Sequence, residues 1–179
     1  PLNANKELNL EAMLQAINSD TRLVYVCNPN NPTGTICERN ALVNFIKEAS
    51  KKAIVLVDEA YLDFCKEQSL GPLVVGNKNL IVAKTFSKLH GLAGARIGYA
   101  IGDAATLEQL GALQSWVSGS ISVVSATAAL ASLTDEKFMA ETSSLNEQVK
   151  KYTVGQLERL NLRCIPSHSN FVYFSLANY

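Results

Sequence analysis

Three short apolar runs constrain this chain more than any other feature: Leu23-Val24-Tyr25-Val26-Cys27, Ala53-Ile54-Val55-Leu56-Val57 and Leu80-Ile81-Val82-Ala83. None alternates with polar residues, so each reads as a strand covered on both faces, the signature of a parallel sheet. Helical patterns sit around them. Asn9 is placed as an N-cap before Leu10–Ile17. Thr35 followed by Glu38 predicts a capping box that opens a helix over about residues 38–52, with Leu42, Phe45, Ile46 and Ala49 on one face. The alternation predicts an α/β fold in three layers, a mostly parallel sheet with helices on both faces and right-handed crossovers. Residues 84–94 are too few for a crossover helix, because a parallel return needs about a dozen residues or more. The run Ala95–Ile101 is therefore expected to be one antiparallel strand.

From Asp103 onward the pattern turns helical. Leu107, Leu110, Leu113 and Val117 mark one stripe, and the Ala-rich stretch Val123–Leu133 predicts a closely packed helix. Thr134 and Asp135 provide cap signals for one long helix to Leu160. Arg163-Cys164-Ile165 and Asn170–Phe174 then read as short strands, and this return to strand suggests the start of a second domain.

Composition excludes several function classes. The chain has 179 residues, 47% apolar and 18% charged, which does not suit a disordered protein. Lys+Arg and Asp+Glu each number 16, so nucleic-acid binding by bulk charge is not expected, while a local anion site remains open. No apolar run approaches the ~20 residues needed to span a bilayer, and no basic segment followed by an apolar stretch opens the chain. Cys27, Cys37, Cys65 and Cys164 form no metal-ligand spacing and read as small hydrophobes in a reducing, cytoplasmic setting. His90 and His168 lie far apart and read as structural or exposed; no metal site is expected.

Ligands of parallel α/β sheets bind outside the carboxyl ends of the strands. Each of the three runs stops at a polar cluster, Asn28–Gly34, Asp58–Tyr61 and Thr85–Arg96. Taken singly, these are a turn, a solvated strand end and a surface lysine. Their recurrence at three successive strand ends points to one site.

The segments Asn28-Pro29-Asn30-Asn31-Pro32-Thr33-Gly34-Thr35, Val57-Asp58-Glu59-Ala60-Tyr61 and Thr85-Phe86-Ser87-Lys88-Leu89-His90-Gly91-Leu92-Ala93-Gly94-Ala95-Arg96-Ile97-Gly98-Tyr99 resemble the pyridoxal-phosphate (PLP) aminotransferases of the aspartate-aminotransferase fold, and among these most nearly the histidinol-phosphate aminotransferases. By that resemblance Lys88 matches the lysine that holds PLP as an internal aldimine and then moves a proton at the substrate carbon. Asp58 matches the carboxylate that pairs with the pyridine nitrogen and keeps the ring an electron sink. Asn31 and Tyr61 match the pair that hydrogen-bonds the cofactor's phenolic oxygen. Thr85, Ser87 and Arg96 match the phosphate-binding group. Gly91, Gly94 and Gly98 are expected to permit close backbone approach, and their spacing does not imply a dinucleotide site. Leu89 departs from the small residue common at that position in part of the family.

The resemblance further implies that residues 1–134 are the central part of the PLP-binding large domain, 135–161 a connecting helix and 162–179 the start of a small C-terminal domain. The family's glycine-containing helix start, its ring-stacking aromatic, its substrate-carboxylate arginine and its partner-subunit tyrosine find no match here. The chain is thus expected to be a piece of a longer, homodimeric enzyme and to be inactive alone, with apolar sheet and helix surface uncovered. The expected reaction is transamination between an amino acid or amino alcohol phosphate and a 2-oxo acid, with histidinol phosphate and 2-oxoglutarate as the best single pair. A decarboxylase or lyase of the same fold, like the threonine-phosphate decarboxylases, shares the same residues. An aminotransferase-like effector domain of a transcription regulator is the reading from another class.

Overall fold

The computed structural model describes residues 1–113 and 121–176. Four strands form the main sheet in the order β1 (Leu23–Cys27), β2 (Ile54–Asp58), β3 (Leu80–Thr85), β4 (Gly98–Ile101). The first three are parallel, with Val24 beside Val55 and Val57 beside Val82. β4 runs antiparallel to β3, Lys84 opposite Tyr99. The short connection thus dictates the strand direction as expected. β4 begins three residues later than its apolar run, because Ala93–Ala95 form a 3-10 turn and Arg96 adopts φ +51°.

Period-two alternation sends Val24, Val26, Val55, Val57, Leu80 and Val82 to one face. There they meet Leu42, Phe45, Ile46 and Ala49 of α2 (Arg39–Ala49) and Ile17, which follows α1 (Leu10–Ala16), in the main core. The α/β class and the mostly parallel sheet stand as read from the sequence. The other face of β1 carries Leu23 and Tyr25, 55% and 51% exposed, so among the described residues the helical cover lies on one face of that strand.

Asn9 caps α1 as expected, its side chain accepting from Ala12 N at 3.0 Å. The Thr35/Glu38 capping box does not form. Thr35 Oγ1 donates instead to Lys6 O at 2.9 Å, and Glu38 is itself the cap, its carboxylate accepting from Asn40 N and Ala41 N at 2.8 and 2.7 Å. The helix therefore starts three residues further on, where the Glu38 carboxylate satisfies its own first orphan amides.

The β2–β3 crossover carries two 3-10 turns, Leu62–Phe64 and Gly71–Val74, rather than an α-helix. Glu59, 1% exposed, accepts from Leu70 N at 2.7 Å and Ser69 Oγ at 2.6 Å, which satisfies its buried carboxylate and pins this segment.

Beyond the sheet lie α3 (Ala104–Ala112), α4 (Val123–Thr134) and α5 (Glu136–Arg159), the last capped by Asp135 as expected. Leu113 is exposed, and Val117 of the predicted stripe lies outside the described residues. α4 departs from expectation. Val123, Val124 and Leu130 are exposed and only Ala129 of the helix is buried. Its apolar composition signals a covering surface that the described residues do not supply. β5 (Cys164–Ile165) and β6 (Tyr173–Phe174) form a separate antiparallel pair, shorter than the runs that predicted them. No helix among the described residues is long and apolar enough to cross a membrane.

Candidate active site at the strand ends

The loop after β1 is built mainly from its own polar groups. Asn28 N donates to Asp58 O at 2.9 Å, and Asn28 Oδ1 accepts from Cys37 N at 2.8 Å. Asn30 Nδ2 donates to Thr33 Oγ1, which pairs with Thr35 Oγ1, both at 2.8 Å. Gly34 closes the turn at φ +73°, where a side chain would also run into Ser167. The buried residues of this motif therefore perform turn chemistry. Asn31 is different: it is exposed, and its Nδ2 donates to Tyr61 Oη at 3.0 Å.

Asp58 ends β2 on the face opposite the core. Its Oδ1 accepts from Ala60 N at 3.0 Å and its Oδ2 from Tyr25 Oη at 2.7 Å. Partial burial and the Asp58 carboxylate both push the Tyr25 hydroxyl above the ordinary phenol range, so it stays a donor. With half of Tyr25 in solvent, the carboxylate is the firmer of the two causes. Tyr61 is buried, its ring edge-on to Phe171 at 5.0 Å. Lys88 Nζ stands 5.2 Å from the Tyr61 ring centroid, within cation–π reach.

The loop after β3 folds back on itself. Ser87 N donates to Thr85 Oγ1 at 3.1 Å, Gly91 N to Lys88 O at 3.0 Å and Leu92 N to Phe86 O at 2.9 Å. Phe86 and Leu89 are buried, so the departure at position 89 fills a packed space. A side chain at Gly98 would come within 2.7 Å of Lys84 O, and Gly91 has φ +70°. Gly94 meets nothing within 4 Å, so the expected close approach does not occur there. Arg96 is exposed, its guanidinium donating to Ala93 O at 3.0 Å.

These segments enclose an open cleft of about 430 Å³. Asn31, Asp58, Tyr61, Thr85, Ser87, Lys88 and Arg96 all line it, so every residue singled out from the sequence arrives at one place. Tyr25 and Cys27 line it too and were not foreseen. Both lie within the apolar run of β1, and only the register Cys27 beside Asp58 reveals that they share its face. Burial raises the Cys27 thiol above its ordinary pKa, and the thiol donates to Pro29 O at 3.3 Å. A larger cavity of about 700 Å³ lies between the N-terminal segment and β5–β6, lined by Lys6, Glu7, Arg163, His168 and Tyr173 among others, and it holds none of the seven. All four cysteines are free thiols, and among the described residues no group of three or more His, Cys, Asp or Glu could hold a metal ion.

Comparison with known proteins places the chain in a family. A histidinol-phosphate aminotransferase of Moorella thermoacetica is 37% identical over 172 residues, covering 94% of this chain and 44% of the relative. An aromatic amino acid aminotransferase of a Mycobacterium species is 39% identical over 174 residues, covering 94% of this chain and 48% of the relative. The crystal structure of histidinol-phosphate aminotransferase from Sinorhizobium meliloti in complex with pyridoxal-5'-phosphate superposes with a TM-score of 0.91 at 28% identity, over 99% of this chain and 48% of that one. The chain thus spans about half the length of the relatives it matches. The family described as aminotransferase class I and II matches residues 1–178, and this chain belongs to it.

Proposed function

We propose that this chain forms the cofactor-binding part of an enzyme that exchanges an amino group between an amino donor and a 2-oxo acid, with pyridoxal 5'-phosphate as its resident cofactor. The observation that carries this reading is the convergence of a carboxylate, an amine, an amide–phenol pair and a hydroxyl–guanidinium group on one cleft. The donor set fits the cofactor group by group. Asp58 would hold the ring nitrogen, and its carboxylate is already oriented by two donors. Asn31 and Tyr61, linked at 3.0 Å, would bind the phenolic oxygen. Thr85, Ser87 and Arg96 would hold the phosphate, for which the planar guanidinium fork is suited. Lys88 would carry the cofactor covalently.

When bound, the cofactor supplies an electron sink for charge developing at the substrate Cα. The chain supplies the proton management. Asp58 would keep a proton on the ring nitrogen. Lys88 Nζ would take the Cα proton as general base. Tyr61 and Asn31 would hold the phenolic oxygen in its ionised form.

In this reading residues 1–134 are the central part of the large domain, 135–161 the connecting helix and 162–179 the start of the small domain. The α5 helix from Glu136 to Arg159 supports that division. The enzyme is a homodimer in a reducing, cytoplasmic setting, which suits four free thiols. Histidinol phosphate with 2-oxoglutarate is the proposed substrate pair, and the Moorella relative's name supports the first of the two.

The test is a single-turnover screen of amino donors on the intact enzyme, followed by the cofactor's absorbance. Histidinol phosphate is expected to react faster than phenylalanine. Faster reaction with phenylalanine would move the substrate to the aromatic amino acids. Asp58→Asn is expected to retain cofactor while losing about 10²–10³ in rate; near-normal turnover would refute the role of the carboxylate.

A further inference from the structure

A second polar cluster adjoins the cleft, which Lys84 also lines. Lys84 Nζ pairs with Asp63 Oδ1 at 2.6 Å, with the two side chains only 13% and 20% exposed. The other carboxylate oxygen, Asp63 Oδ2, stands 3.9 Å from His90 Nε2. The opposite ring nitrogen, His90 Nδ1, is hydrogen-bonded to Ser132 Oγ of α4. The His90 ring also packs on Phe86, centroids 4.9 Å apart. Glu59 adds its negative field to that of Asp63 at Lys84.

Chain position gives this cluster meaning. Asp63 follows Tyr61 by two residues, Lys84 immediately precedes Thr85, and His90 follows Lys88 by two. Each is therefore rigidly linked to a residue of the cleft. Alternation along β3 puts Lys84 with Leu80 and Val82, on the face opposite Ala83 and Thr85. The cluster borders the cleft at Lys84 and ties together the three backbone segments that carry Tyr61, Thr85 and Lys88. Burial, with Lys84 adding to it and Asp63 opposing it, lowers the His90 pKa. The ring is therefore neutral near pH 7, one nitrogen a donor and the other an acceptor, with Nδ1 facing Ser132 and Nε2 facing Asp63.

We propose that Asp63, Lys84, His90 and Ser132 form a clasp that positions Lys88 over Tyr61, making His90 and Asp63 positioning residues of the lysine loop. This rests on the proposed role of Lys88, but its test does not. His90→Phe keeps an aromatic ring against Phe86 and removes both nitrogens. Lysine reactivity is read by acylation of the folded, intact enzyme and peptide mass spectrometry. Lys137, with its side chain 84% exposed, serves as the reference, and Lys150, 12% exposed and paired with Glu147, reports general loosening. In His90→Phe the Lys88 rate relative to Lys137 is expected to rise at least threefold while Lys150 stays unchanged. Covalent uptake of PLP at Lys88, trapped with borohydride, is expected to fall about tenfold. His90→Asn, which can still meet Ser132, should recover part of both effects.

Unchanged Lys88 acylation would overturn the proposal, and so would a parallel rise at Lys150, which would reduce the cluster to ordinary packing. If His90→Phe fails to fold, Ser132→Ala on α4 gives the same comparison with an expected rise of about twofold. Should the unmodified enzyme take up no PLP at Lys88, the functional reading fails, while the acylation ratios still decide the clasp.

Discussion

Glu59 offers the sharpest test of how the cleft is held. It lies beside Asp58 but points the other way, and its buried carboxylate binds Leu70 N and Ser69 Oγ at 2.7 and 2.6 Å. Glu59→Ala leaves the buried Leu70 N–H without an acceptor, which costs about 1–3 kcal/mol, and removes two bonds to a charged group worth about 1.5–3 kcal/mol each. Relief of the carboxylate's own desolvation offsets several kcal/mol of this sum. The expected net loss is about 3 kcal/mol. With a urea slope of about 2 kcal/mol per molar, the unfolding midpoint should drop by about 1.5 M. Glu59→Gln keeps a carbonyl for Leu70 N–H and presents an amide to Ser69, so about 1 kcal/mol, or about 0.5 M, is expected. The assay is urea unfolding of the intact enzyme at neutral pH. An alanine variant within about 0.3 M of the unmodified protein, or a glutamine variant worse than alanine, would show that Glu59 does not pin the crossover.

Two further outcomes follow from the structure. Tyr25→Phe deletes the 2.7 Å bond to Asp58 Oδ2 while keeping the ring; because water can reach the half-exposed position, PLP affinity is expected to weaken only about three- to tenfold by equilibrium titration, and no change would remove Tyr25 from the site. Stability is expected to fall as pH drops from about 7 toward 5.5. Burial lowers the pKa of both His90 and His168, with Lys84 and Lys150 respectively adding to it, so the unfolded chain, titrating near pKa ~6.5, binds protons first. Above pH 7 these two groups contribute no slope. Thermal melts across that range check the sign, His168→Asn should flatten the profile, and a melting temperature that rises on acidification would contradict the assignment.

What the sequence made legible follows a physical division. The parallel strands were readable because a doubly covered strand must be apolar throughout. The direction of β4 was readable because residues 84–94 are too short for a crossover. The seven cleft residues were readable because strand ends in such sheets converge, and because their types match a known constellation. Tyr25 was hidden, since a tyrosine inside an apolar run looks like core until register pairs its strand with Asp58. Glu59 and Asp63 were hidden because burial of a charge depends on partners 10 to 21 residues away, Ser69, Leu70 and Lys84. The cap of α2 moved from Thr35 to Glu38 because the threonine was already engaged with Lys6 O. The exposed α4 shows the limit of composition, which states that a surface wants cover without stating what covers it.

In the proposed holoenzyme Lys88 and Asp58 flank one cofactor ring in the cleft at the strand ends. Incubating the intact enzyme with PLP, reducing with borohydride and mapping the labelled peptide tests it most directly. A single phosphopyridoxyl group is expected on Lys88, retained in Asp58→Asn and absent from Lys88→Ala. Stable labelling of another lysine, with Lys88 unmodified, would contradict it.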